Sequence, residues 1–331
     1  MIKKEIPRVR YKSGVSVNKR DLHKRSVYIS LTKRCPLKCR HCFVKRQNRE
    51  LSLHKLPELM EEIAKTNAFY GVGFTGGEPF LVFETLKEGI KHAVINDLKA
   101  CVLTSGYWAK NKITTEKYLN DLKGLDLVII SADKYHQQKV PLSYVENVLS
   151  VAKDLSINTV VNMFLHEKNV MGRYLSLCDK YSCNYRIGNL TLSGTKSDRL
   201  VISDMKRGNY PLEIRIPFCA YYADKNRFVP PPMYIDEVGD IYFCGSAVGL
   251  AGPKNNPFYL GNAFKDGTAW KAIFHKADKI FNFVKQNKLT FLSKIAQAGV
   301  QLRDIYYDKC DICYDTFILN SNNKYIRDNI G

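Results

Sequence analysis

Long hydrophobic runs are missing from this 331-residue chain, and without 18 consecutive apolar residues a membrane-spanning helix is excluded. The opening stretch, MIKKEIPRVRYKSG, lacks an apolar core and a small-residue cleavage site. No secretory signal is read there, and a cytoplasmic location is expected. Low-complexity segments are absent as well. Acidic residues are scarce: 32 Asp and Glu stand against 51 Lys and Arg, a net charge of +19. Residues 1–50 carry 16 Lys or Arg against three acidic residues, an excess of 13. A basic arm over residues 1–25 suits an acidic partner, such as an acidic precursor peptide. It lacks interleaved aromatics and zinc-finger helix spacing, so nucleic acid is not the expected partner.

Cysteine, by contrast, is plentiful. Ten in a chain expected to stay reduced argue for metal or redox chemistry instead of a disulfide framework. Cys35, Cys39 and Cys42 fall on one short stretch, SLTKRCPLKCRHCFVKR; Cys219, Cys244, Cys310 and Cys313 form a later set; Cys101, Cys178 and Cys183 are left over. Thiolates bind Zn²⁺ and iron–sulfur clusters. A closed zinc site on the first stretch would need a fourth ligand such as His41 or His54. A [4Fe–4S] cluster on three cysteines would leave one iron open to a small molecule.

From residue 26 a strand–loop–helix rhythm repeats. Candidate strands are 26–31, 70–76, 100–105, 127–132, 158–164 and 183–188, with amphipathic helices such as 52–67 and 141–155 between them. In the second helix Leu142, Val145, Val148, Leu149 and Ala152 share a face. This alternation predicts an α/β fold, a partial (β/α)6 barrel over 26–195, with functional loops at the carboxyl ends of the strands. The cysteine loop follows the first strand, at that end. Beyond about 190 the rhythm stops. PPMYIDEVGDIYFCGS (231–246) reads as a hairpin turning at Val238–Asp240, and helices are expected near 266–277 and 278–297. Residues 196–331 are thus expected to form a smaller C-terminal unit.

CPLKCRHC fits the pattern C-x₃-C-x-Φ-C with His41 as the ring residue, and it resembles the radical S-adenosylmethionine (radical SAM) enzymes. Three further stretches sit in matching order. FTGGEP ends the second strand and supplies Gly76, Gly77, Glu78 and Pro79; ISAD ends the fourth and supplies Ser131 and Asp133; Ser105 and Asn162 end the third and fifth. The resemblance implies that the three-cysteine cluster chelates S-adenosylmethionine. It implies that the glycine–glutamate motif holds the methionine amino group, and that Ser131 or Asp133 meets the ribose and the methionyl carboxylate. Ser105 and Asn162 would touch the cofactor, and Arg186 would grip the carboxylate. Each of these residues has the simpler reading of a turn or cap. KYHQ after Asp133 also looks like members that act on peptides, and Tyr107, Trp108, Tyr135 and His136 are candidate pocket residues.

The second cysteine set resembles the auxiliary-cluster domain of these enzymes: a β-hairpin and helix holding a second [4Fe–4S] cluster on Cys219, Cys244, Cys310 and Cys313. Structural zinc on the same thiols is the alternative. Over the full length the resemblance is to maturases and epimerases of ribosomally made peptides. This implies a precursor-peptide substrate and a reductase or flavodoxin-type electron donor. A radical SAM enzyme acting on a sugar or nucleotide is the second reading. Related epimerases carry an extra cysteine where Gly245 stands here. A thiol hydrogen donor must then come from Cys101, Cys178 or Cys183, and otherwise oxidation or a cross-link is expected. A buried Cys101 and structural Cys178 and Cys183 are the plainer readings. No leader-recognition domain is expected to fit ahead of the first strand.

Overall fold

In the computed structural model, the described residues are 24–42, 44–164, 168–188, 221–224, 227–229, 231–245, 257–265, 268–284, 288–302 and 309–330. Residues 1–23 of the basic arm, and Cys219, lie outside them.

Six parallel strands run in consecutive order: β1 (Arg25–Thr32), β2 (Phe69–Gly76), β3 (Lys99–Thr104), β4 (Leu125–Ser131), β5 (Asn158–Phe164) and β6 (Asn184–Gly188). Between them lie α1 (Leu56–Lys65), α2 (Phe83–Ile95), α3 (Lys112–Asp121), α4 (Leu142–Asp154) and α5 (Lys168–Tyr181). Each predicted strand is present, shifted by no more than two residues at either end. Right-handed crossovers between consecutive parallel strands put every helix on the same face of the sheet. The result is the expected partial barrel.

Period-two alternation decides what each strand offers to that face. Val27, Ile29, Leu31, Val72, Phe74, Ala100, Val102, Val128, Ile130, Val161 and Met163 are buried in the main core with α4 residues Val145, Val148, Leu149 and Ala152. Their neighbours point inward. Leu127, Ile129 and Val160 form a separate inner cluster with Cys101 and Leu103 packed on it. Burying a side chain of this size contributes about 1.5–3 kcal/mol.

The hairpin strands β9 (Met233–Ile235) and β10 (Asp240–Tyr242), with β11 (Tyr259–Asn262), do not form a sheet of their own. They extend the barrel sheet in the order β11-β10-β9-β1-β2, and β9 pairs parallel with β1. A separate antiparallel pair, β7 (Tyr221–Asp224) and β8 (Arg227–Val229), precedes them in the chain. The turn closes through Asp236 Oδ1, which accepts from the Val238 and Asp240 amides at 3.1 and 2.9 Å, with Gly239 at φ +85°.

After the hairpin come α6 (Trp270–Val284), α7 (Lys288–Gln297), α8 (Lys309–Cys313), a π-turn (Tyr314–Leu319) and α9 (Lys324–Ile330). The expected break at 277/278 is not there. Ile273, Ala277, Ile280, Phe281 and Val284 are buried along one uninterrupted helix, because their 3–4 residue spacing continues through Ala277. These helices build a second core, which includes Cys244 and Cys313, with Cys310 packed against it.

Candidate active site

The carboxyl ends of β1 to β5 carry almost everything the sequence singles out. After β1 the chain turns through the three-cysteine loop, where the Cys42 amide donates to the Cys39 carbonyl at 3.2 Å. Burial pushes the Cys35 thiol up to about 12, with the charges of Glu78, Cys42 and Cys39 adding to the effect. Burial likewise raises Cys42, next to Cys39. Cys35 and Cys42 resist ionisation on their own, and a cationic centre held by the loop relieves the desolvation and the mutual repulsion together. The donor set therefore fits a metal cluster held by three sulfurs.

Gly76 and Gly77 are needed for a backbone approach, but to the stem of the cysteine loop. The Gly77 amide donates to the Thr32 carbonyl at 2.6 Å and the Glu78 amide to the Arg34 carbonyl at 2.9 Å. A Cβ on Gly76, which has φ +139°, would stand 2.3 Å from the Thr32 oxygen; one on Gly77 would stand 2.0 Å from the Arg34 oxygen. The side chain of Glu78 is fully buried. Its Oε1 accepts from Thr104 Oγ1 at 2.7 Å and the Phe80 amide at 3.3 Å; its Oε2 accepts from the Ser105 amide at 2.8 Å and hydroxyl at 2.6 Å. Burial raises this carboxyl and the four donors oppose the rise. Glu78 thus fastens the loop after β2 to the end of β3, and Ser105 is engaged in that bond. Pro79 opens the buried turn that follows.

Three other expected cofactor residues form a row. Ser131 is the register partner of Asn162, and Asn162 of Arg186, across β4, β5 and β6. The outward neighbours Ile130, Val161 and Met163 are buried under the helices, so the row belongs to the inner face. Asp133 is not part of it. Its carboxylate is buried and accepts from the Tyr135 amide at 2.9 Å, the His136 amide at 3.1 Å and His136 Nδ1 at 2.6 Å. Burial opposes ionisation, but the His136 imidazolium holds Asp133 well below the usual carboxylate range. Burial likewise opposes protonation of His136, yet Asp133 and then Cys39 push it up to about 10. The ring of His41 packs at 4.7 Å from Tyr135, 4.8 Å from Phe164 and 5.2 Å from His136. His41 Nε2 lies 4.0 Å from Asp133 Oδ2.

The remaining candidates divide. Trp108 is 4% exposed, stacks on Phe80 at 3.9 Å and donates Nε1–H to Thr104 at 2.9 Å, so it belongs to the core. Tyr107 is half-buried, and burial pushes it up to about 12. Cys101 is on the inner face, hydrogen-bonded to Tyr28, and burial pushes it up to about 12. It sits four residues below Ser105, about 13 Å at the usual strand rise. Cys178 and Cys183 lie where α5 turns into β6, at the opposite end of the strands, with the Cys183 amide bonded to the Cys178 carbonyl at 2.9 Å. A hydrogen bond between their thiols lowers Cys183 and raises Cys178. Thr104 and Phe164 escaped the reading of the sequence. Thr104 precedes Ser105 at a strand end and was open to recognition, whereas the packing of Phe164 on His41 is tertiary. No helix among the described residues is long and apolar enough to cross a membrane.

Known proteins resemble parts of this chain in sequence or in fold. YydG of Bacillus subtilis (strain 168), named as a peptide biosynthesis protein, is 29% identical over 150 residues, 42% of this chain and 47% of its own. The GTP 3′,8-cyclase of Clostridium botulinum (strain Hall) is 26% identical over 180 residues, 48% of this chain and 54% of its own. The chain thus spans about half the length of these relatives. Among solved structures, Streptococcus suis SuiB bound to S-adenosylmethionine superposes with a TM-score of 0.53 at 17% identity, over 74% of this chain and 65% of that one. anSMEcpe with bound AdoMet and Cp18Cys peptide gives 0.54 at 14%, over 76% and 80%. At such identities the likeness is one of fold. The family model described as the radical SAM superfamily matches residues 29–171, which take in the cysteine loop, the glycine–glutamate turn and the Ser131–Asn162 pair. Residues 29–171 are a radical SAM domain.

Proposed function

We propose that this chain is a peptide-modifying radical SAM enzyme. Cys35, Cys39 and Cys42 would hold a [4Fe–4S] cluster with one iron left for S-adenosylmethionine. Bound there, cluster and cofactor supply a carbon-centred radical able to abstract hydrogen from an unactivated C–H bond. The observation that carries this reading is the placing of three thiols, the Gly76–Glu78 turn and the Ser131–Asn162–Arg186 row at one end of one sheet.

The residues' work is binding and exclusion. Arg186 and the hydroxyl and amide of Ser131 and Asn162 are the polar groups suited to the ribose and the methionyl carboxylate. Glu78, saturated by its own donors, holds the turn whose backbone would meet the amino group. Selectivity must come from holding one substrate hydrogen near the reactive carbon and keeping water out. The rings of His41, Tyr135 and Phe164 form an apolar wall suited to that exclusion.

Peptide as substrate is favoured by the likeness to YydG, and SuiB bound to precursor peptide SuiA and anSMEcpe bound to Cp18Cys peptide share the fold. A second [4Fe–4S] cluster on Cys244, Cys310, Cys313 and Cys219 is proposed as the electron acceptor or relay; the first three meet in or against one core. A flavodoxin-type reductant would supply the electron. The placing of Cys178 and Cys183 far from the site favours oxidation or cross-linking over epimerisation. The likeness to a GTP 3′,8-cyclase favours a second reading, a nucleotide substrate.

The test is anaerobic reconstitution with S-adenosylmethionine and either the precursor peptide encoded beside the gene or GTP. Expected are about eight irons per chain, formation of 5′-deoxyadenosine, and a peptide two mass units lighter. Cys39→Ala should abolish cofactor cleavage, while Cys313→Ala should keep cleavage and lose product. Zinc without sulfide, or turnover with GTP and not with peptide, overturns the proposal.

A further inference from the structure

A tight reversal joins the end of α5 to the start of β6. Ser182 takes the left-handed conformation at φ +54°; its amide donates to the Asp179 carbonyl at 3.2 Å, and the Cys183 amide donates to the Cys178 carbonyl at 2.9 Å. Nested bonds of this form cap a helix and set the side chains at the two ends of the outer bond against each other. Here both ends are cysteines. With standard bond lengths, the 2.9 Å bond keeps their α-carbons within about 6.8 Å, the outer limit for a disulfide. Cys178 is 2% exposed in the main core, while Cys183 is half-buried and packs against that core. A hydrogen bond between the thiols also holds Cys183 below its ordinary value. The proposed reaction uses neither thiol.

We infer that Cys178 and Cys183 are a redox-active dithiol, a modification site that low-molecular-weight disulfides close to an intramolecular disulfide fastening α5 to β6. The more exposed Cys183 attacks first: its thiolate bonds to one sulfur of the reagent and expels the other half as a thiolate. Cys178 then attacks the Cys183 sulfur and expels the second half. The two cysteines lose two electrons and two protons, and the reagent becomes two thiols. Among the described residues β6 is the last strand of its sheet, paired with β5 alone, and it carries Arg186. A covalent tie at its first residues steadies the strand with the fewest neighbours. The inference does not depend on the cluster assignment made above.

The test treats the folded full chain with oxidised glutathione, caps the remaining thiols with N-ethylmaleimide in denaturant, and digests it with trypsin. Trypsin cuts between Lys180 and Tyr181, so peptides 174–180 and 181–186 stay joined only through this disulfide. Mass spectrometry should find the joined pair in roughly tenfold excess over the capped peptides, because the second step is intramolecular. Cys178→Ser should instead retain glutathione on Cys183, and Cys183→Ser should leave Cys178 capped and free of glutathione. Wild-type peptides that are capped and unjoined overturn the inference. If Cys178→Ser fails to fold, the wild-type peptides still decide. Amides of residues 184–188 should exchange with deuterium several-fold more slowly in the joined protein, and equal rates overturn the fastening of β6.

Discussion

The Ser105 hydroxyl donates to Glu78 Oε2 at 2.6 Å, from the end of one strand to the loop that follows its neighbour. With the Ser105 amide, Thr104 and the Phe80 amide, it gives one buried carboxylate four donors. Glu78→Gln replaces one acceptor oxygen with an amide that faces donors. It should cost about 1–3 kcal/mol of stability and weaken S-adenosylmethionine binding. Thermal unfolding and equilibrium dialysis measure the two effects.

Gly77→Ala puts a methyl 2.0 Å from the Arg34 carbonyl oxygen, and this oxygen already accepts from the Glu78 amide. Backbone on both sides leaves little room to give. We expect a loss of about 3 kcal/mol and a sharp fall in iron uptake, because the displaced stem carries the thiols. Denaturant melts and iron assay check this. Full iron content in a protein of normal stability would contradict it.

Lys33 Nζ lies 2.9 Å from Glu237 Oε1, whose side chain is wholly buried. The pair ties the exit of β1 to the turn between β9 and β10. Lys33→Ala strands a buried charge and should cost about 3 kcal/mol. The double variant Lys33→Met with Glu237→Leu should recover most of it. A double-mutant cycle by chemical denaturation separates coupling from simple truncation.

Burial, then the nearby Glu237 and Asp240, push Asp236 from an ordinary 3.8 up to about 6. The folded state therefore holds this proton more tightly than the unfolded state. Stability from the group is intact below pH 3.8 and lost as pH rises to about 6. Asp236→Asn keeps the carbonyl oxygen that accepts from the Val238 and Asp240 amides. The variant should be more stable than wild type by up to about 2 kcal/mol at neutral pH, with the gap closing toward pH 4. Melting temperatures of both proteins across that range decide it.

Much of this was legible in the sequence, for identifiable reasons. The strands announced themselves because residues such as Val128, Ile129 and Ile130 make short β-branched runs between helical repeats. The site was legible because strand ends bring distant motifs together, so Cys35, Glu78 and Ser131 could be placed by order alone. What sequence could not give was partnership. Asp133 was legible as a strand-end carboxylate, whereas its partner His136, three residues on and folded back to 2.6 Å, was not. Gly76 and Gly77 suggested a ligand's approach, and the nearer neighbour is the chain's own backbone at Thr32 and Arg34. The union of the late hairpin with β1 was equally hidden, since pairing across two hundred residues leaves no local pattern.

That union alters the standing of β1. Taken with only the six barrel strands, it would be a border strand with one row of amides facing water and free to fray. Paired on both flanks, it becomes an interior strand whose amides should be among the slowest in the protein to exchange with deuterium. The loop that bears Cys35, Cys39 and Cys42 hangs from that strand. Its anchorage is therefore provided in part by residues 233–235, nearly two hundred positions downstream.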